Sequence, residues 1–88
     1  MTTLQAMNEA QVRAALLEIL ENVAPEADFD DLSADADVRE ALDIDSFDFL
    51  NVLIALNEQT GVEIPEADYG QLISINDIVQ YITLNAER

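Results

Sequence analysis

Few side chains in this 88-residue chain can do covalent or acid–base chemistry. It holds no Cys and no His, which removes disulfides, thiolate zinc sites, cysteine nucleophiles, the commonest metal ligand and the usual general base at neutral pH. Lys is also missing, and three Arg stand against 19 Asp and Glu, for a formal charge of -16. A serine triad is excluded, because the chain has no His or Lys to deprotonate a hydroxyl. Carboxylates pair as acid and base only where burial drives their pKa values apart, and nothing in the pattern marks such a site. The chain therefore reads as a non-enzyme. One hydroxyl stands out: Ser46, preceded by Asp45 and followed by Phe47, at the junction of an acidic segment and the most apolar one. On spacing alone its plainer role is a helix N-cap. If Ser46 does chemistry, an external enzyme must activate it.

Metal binding fails on inspection. Asp43-x-Asp45 begins like a calcium loop, but Phe47 occupies the next ligand position, Asp48 sits where glycine is required and Ile54 replaces the closing glutamate. The acids Asp28, Asp30, Asp31, Asp35 and Asp37 read as a solvated face.

The elements that must position Ser46 follow from capping and periodicity. Asn8-Glu-Ala-Gln11 is a capping box, and Val12, Leu16, Ile19, Leu20 and Val23 recur at helical steps before Pro25. The first helix is expected over residues 8–23, with Thr3 as an earlier possible start. The connection from Pro25 to Asp45 is long for so small a domain; Phe29, Leu32, Val38 and Leu42 pin it, and Asp37 to Leu42 suits a hidden helical turn. Asp45 or Ser46 caps a second helix that runs to Thr60-Gly61 and is apolar nearly all round. Val62-Glu-Ile-Pro65 is extended, residues 66–72 form a weak short helix, and Ser74-Ile-Asn-Asp77 opens a last helix with Ile75, Ile78, Val79 and Ile82 on one face. No segment alternates with the strand period. The expected architecture is all-α, one domain over residues 1–88.

These residues resemble the acyl carrier proteins and related thiolation domains. The likeness is carried by Leu42-Asp-Ile-Asp45-Ser46-Phe47 before a helix, by Gly61-Val-Glu-Ile-Pro65, by the short acidic helix, and by Ser74-Ile-Asn-Asp77-Ile-Val-Gln-Tyr81-Ile82. It runs in matching order from the second helix to the end, and more loosely through the first. It implies a small four-helix bundle with a long loop between its first two helices. It also implies that Ser46, with Asp45 as flanking motif, carries 4′-phosphopantetheine attached from coenzyme A by a phosphopantetheinyl transferase with magnesium. Acyl-loading ligases or transferases and downstream synthases would be the other partners; an aminoacyl or peptidyl carrier, or an unmodified acidic adaptor, are the alternatives. Ala55, Leu56, Ile64, Ile73 and Ile78 are candidates to line an acyl chain, with ordinary core as their plainer role.

Four positions depart from the family pattern. Asp43 stands where many members have Gly, a place Asp tolerates in the left-handed region. Asn51 and Asn57 replace acids on the second helix, leaving Asp48 and Glu58, and Phe49 stands where a small polar residue is common. Docking is therefore expected through Phe47 and Phe49 as apolar anchors with Asp48, Asn51 and Glu58 for polar contact, in a specialised rather than housekeeping carrier. The charge favours partners with basic patches and disfavours nucleic acid. The longest apolar stretch, Val52 to Leu56, is too short to span a bilayer. The opening residues have neither the basic nor the apolar region of a signal peptide, so a cytoplasmic monomer is expected.

Overall fold

Local capping sets the helix starts, as the spacing requires. In the computed structural model, which describes residues 8–86, the Asn8 side chain accepts the Gln11 N–H at 2.9 Å. Gln11 Oε1 accepts the Asn8 N–H at 2.9 Å, and helix α1 runs Glu9–Val23. Thr3 lies outside the described residues. A short 3-10 turn at Phe29–Asp31, unmarked in the sequence, follows in the long connection. The hidden turn before the serine is real: Asp37 accepts the Arg39 and Glu40 N–H groups and starts helix α2, Val38–Leu42. Asp43 ends α2 in the left-handed region at φ 55, ψ 44. Helix α3 spans Ser46–Thr60 and closes on left-handed Gly61. A 3-10 helix, Glu66–Gln71, stands where the weak short helix was expected. Its tighter winding fits a segment that interrupts itself with Gly70. Helix α4, Ile75–Ala86, starts with the reciprocal Ser74–Asp77 bonds, both 3.1 Å. Among the described residues there is no strand, and the fold is the expected all-α bundle.

Helix α1 packs against both α3 and α4. Val12, Leu16, Ile19 and Leu20 meet Val52, Leu53 and Leu56 and the α4 face of Ile75, Ile78, Val79 and Ile82 in one core. Val38 and Leu42 are buried in it, with Phe29 and Leu32 packed at its edge, so these four side chains do pin the long connection. Burying each such aliphatic side chain contributes about 1.5–3 kcal/mol. A polar clamp adds to them. The Asn76 N–H donates to the Ala34 carbonyl at 3.0 Å and Val38 N–H to the Ile73 carbonyl at 2.9 Å. Asn76 Nδ2 donates to Asp35 at 2.7 Å, and Arg13 donates to Asn76 Oδ1 at 2.9 Å. The start of α4 thus ties down the segment that leads to Ser46.

Two expectations fail here. Phe49 is a core residue, 6 % exposed, and no surface anchor. Residues 49, 52, 53 and 56 form the buried stripe of α3, which packs against α1 in the shared core. Ile73 is 48 % exposed and lines no interior, because its carbonyl, bonded to Val38, ends the approach to α4 while its neighbours Leu72, Ser74 and Ile75 take the buried positions.

Candidate functional site

The two acids and one serine at the head of α3 divide their work. Asp45 is extended, and its Oδ1 accepts the Asp48 N–H at 2.8 Å; its carbonyl takes the Phe49 N–H at 3.0 Å. Asp45 is therefore the N-cap and Ser46 the first helical residue. That assignment frees the Ser46 hydroxyl, which is exposed and has no hydrogen-bond partner among the described residues. The Ser46 and Phe47 N–H groups likewise have no acceptor among them. A helix start with two free N–H groups and the positive end of its dipole is suited to stabilise a negative group placed beside it. The left-handed turn at Asp43 delivers the chain to this point, with Ile44 buried behind it and its N–H bonded to the Arg39 carbonyl at 3.0 Å.

The outward stripe of α3 carries Phe47, Asn51, Ile54 and Glu58. Phe47 is 69 % and Ile54 48 % exposed, so the second exposed apolar group of this stripe is Ile54, about two turns beyond the serine, rather than Phe49. Sequence reasoning missed Ile54. Asn51 and Glu58 lie seven residues apart and mark a wet face whose intervening helical position is residue 54. Asp48 is half-buried. Asn57 does another job: its side chain donates to the Val62 carbonyl at 2.8 Å and braces the turn after α3.

A cavity of about 320 Å³ opens between α3 and the 3-10 helix, lined by Leu53, Ile54, Asn57, Glu63, Ile64, Pro65 and Tyr69. Of the five candidate lining residues it includes only Ile64. Leu56 and Ile78 are fully buried in the core, and Ala55 packs at its edge.

Comparison with known proteins fits this geometry. Residues 10–82 match the family described as phosphopantetheine attachment site. The acyl carrier protein of Campylobacter hominis is 40 % identical over 72 residues, which is 82 % of this chain and 85 % of that one. The chain belongs to the acyl carrier protein family. Acyl carrier proteins of Campylobacter fetus and Campylobacter curvus are similar to it as well, at 38 % over 82 % of this chain and 87 % of theirs, and at 39 % over 81 % and 86 %. Membership of the acyl carrier protein family brings a covalently attached 4′-phosphopantetheine, and dealings with a phosphopantetheinyl transferase and biosynthetic enzymes in general. Among the described residues no helix is long and apolar enough to cross a membrane.

Proposed function

We propose that Ser46 carries the 4′-phosphopantetheine arm. The chain, as one carrier domain over residues 1–88, holds an acyl intermediate as a thioester and presents it to enzymes of fatty-acid, polyketide or related specialised biosynthesis. The observation that carries this reading is the division of labour at the head of α3: Asp45 caps, and Ser46 is left exposed with its hydroxyl free. When bound, the arm supplies the thiol that this Cys-free chain lacks. Ser46 contributes the oxygen that bonds to the phosphorus of the phosphopantetheine half of coenzyme A, while the nucleotide half leaves. The transferase must take the hydroxyl proton, since no His or Lys is present to do so. Catalysis then belongs to the partners, and the chain is a non-catalytic carrier in the cytoplasm, working as a monomer.

Partner enzymes with basic patches are steered by the negative charge and dock on the outward stripe of α3. Phe47 and Ile54 form the apolar anchors there, with Asn51, Glu58 and the half-buried Asp48 at their rim. With Phe49 in the core, this stripe is what remains of the case for a dedicated pathway. The cavity beside Leu53 and Ile64 sits at the small end of ligand pockets. Each methylene sheltered there contributes about 0.8 kcal/mol, enough to bias the carrier between storing and presenting its cargo.

The experiment is intact-mass spectrometry after incubation with coenzyme A, magnesium and a broad-specificity transferase. Wild type gains one phosphopantetheine and Ser46→Ala gains none. Equal gain by Ser46→Ala moves the attachment elsewhere, and no gain by folded wild type makes the chain an unmodified adaptor.

A further inference from the structure

The three arginines meet different fates. Arg13 is bonded to Asn76, and Arg88 lies outside the described residues. Arg39 is exposed, and its guanidinium carbon sits over the face of Phe49, 5.9 Å from the ring centroid. Its neighbours in sequence include Asp37, Glu40, Asp43, Asp45 and Asp48. Among the described residues, however, its hydrogen-bonding edge meets no carboxylate. A cation–π seat occupies the face of a guanidinium and leaves its N–H fork available.

This seat is fixed from three sides. The Arg39 N–H donates to Asp37 at 2.9 Å, the Arg39 carbonyl accepts from Ile44 at 3.0 Å, and the ring beneath the guanidinium is locked in the core. Ser46 falls between the two points that hold Arg39, two residues after Ile44 and three before Phe49. On a helix, residues three apart are face neighbours, with Cβ atoms about 5–6 Å apart. Phe49, which seats the guanidinium, and Ser46 are thus neighbours across the first turn of α3, and Arg39 is held at the serine end of that helix. A phosphodiester at Ser46 would otherwise stand among Asp43, Asp45 and Asp48, where Coulomb repulsion opposes it.

We propose that Arg39, seated on Phe49, is a positioning residue that pairs with the phosphodiester linking the arm to Ser46 and restricts the swing of the arm at its root. This rests on Ser46 as the attachment point. The guanidinium fork suits two phosphate oxygens at once, which an ammonium matches only as a point charge. The seat also explains an aromatic residue at position 49, which packs the core with one face and carries the cation on the other.

The test uses the full chain in its apo and loaded forms, with mass spectrometry first. Arg39→Gln loads like wild type and Ser46→Ala does not; loading of Ser46→Ala would overturn the attachment site itself, whatever Arg39 does. On loaded protein, phosphorus NMR reads the phosphodiester and nitrogen NMR reads the Arg39 side chain. Loading wild type shifts the Arg39 Nε–H resonance. The phosphorus resonance of Arg39→Gln is displaced from wild type, Arg39→Lys lies between them, and high sodium chloride brings all three together. Phe49→Leu, which keeps an apolar core side chain but loses the ring, reproduces the Arg39→Gln displacement, and the double variant adds nothing further. An Arg39 resonance unmoved by loading, or equal phosphorus shifts in loaded wild type and Arg39→Gln, overturns the pairing.

Discussion

Phe47 and Phe49 are two residues apart on α3, about 200° around a helix of 3.6 residues per turn, so one is 69 % and the other 6 % exposed. Their truncations have different consequences. Phe49→Ala leaves a cavity and costs about 3–5 kcal/mol, a large share of the roughly 5–15 kcal/mol by which a domain is stable. Phe47→Ala stays within about 0.5 kcal/mol. Urea denaturation checks both, and a Phe49→Ala midpoint matching that of wild type would remove Phe49 from the core. Asp43 poses a backbone question. It is the one non-glycine residue at positive φ among those described, in a conformation that costs L-residues about 1–2 kcal/mol and Asp rather less. Asp43→Gly is expected to hold or raise the melting temperature, whereas Asp43→Val, β-branched at an exposed site, lowers stability by about 1–2 kcal/mol. A Val variant as stable as the Gly variant would show that the turn does not need the left-handed conformation.

The 3-10 helix Glu66–Gln71 buries none of its residues, so its attachment depends on few contacts. Tyr69 packs at the core edge, and the Tyr81 hydroxyl of α4 donates to Asp68 at 2.6 Å. That hydrogen bond, with burial and the Asp68 charge adding to it, raises the Tyr81 pKa from 10.0 to about 12. The protonated phenol is the form that folding favours. Its contribution is thus complete below pH 10 and is lost as pH rises through about 12. Wild type is expected to lose stability across that window more steeply than Tyr81→Phe, which at neutral pH already lacks about 1 kcal/mol. Chemical denaturation of both proteins between pH 8 and pH 12 measures it. Parallel curves would mean that the Tyr81–Asp68 bond contributes nothing to the fold.

The whole molecule carries a formal charge of -16 on a body whose Cα radius of gyration is 12.5 Å. The Debye length at physiological ionic strength is about 8 Å, so neighbouring surface acids repel one another and salt relieves the repulsion. Sodium chloride should raise the melting temperature, each kcal/mol recovered appearing as about 4–8 °C in a domain of this size. Magnesium chloride at equal ionic strength should do no more, because among the described residues no group of three or more carboxylates converges on a metal position. Thermal unfolding by circular dichroism in the two salts decides: no gain from either removes the repulsion argument, and a larger gain from magnesium reveals a native-state site.

Capping is local, so the chain itself determined where its helices begin and end. Asn8 with Gln11, Ser74 with Asp77, the left-handed Gly61 and the tolerated left-handed Asp43 all act within four residues. The same locality made the Asp45-Ser46 head of α3 recognisable, and with it the family. The sequence left open which of the two capped the helix. That depended on backbone geometry at Asp45, as did the freedom of the Ser46 hydroxyl. It also left open the rotation of α3. A helix apolar nearly all round has several near-equal faces, and only packing against α1 in the shared core put Phe49 inward and Ile54 outward. Contacts between distant residues were beyond the sequence for a similar reason. Asn76 reaches Asp35 and Arg13, and Arg39 reaches Phe49, because the bundle closes loops that no local propensity encodes. The side-chain neighbourhood of Ser46 was therefore decided by tertiary structure.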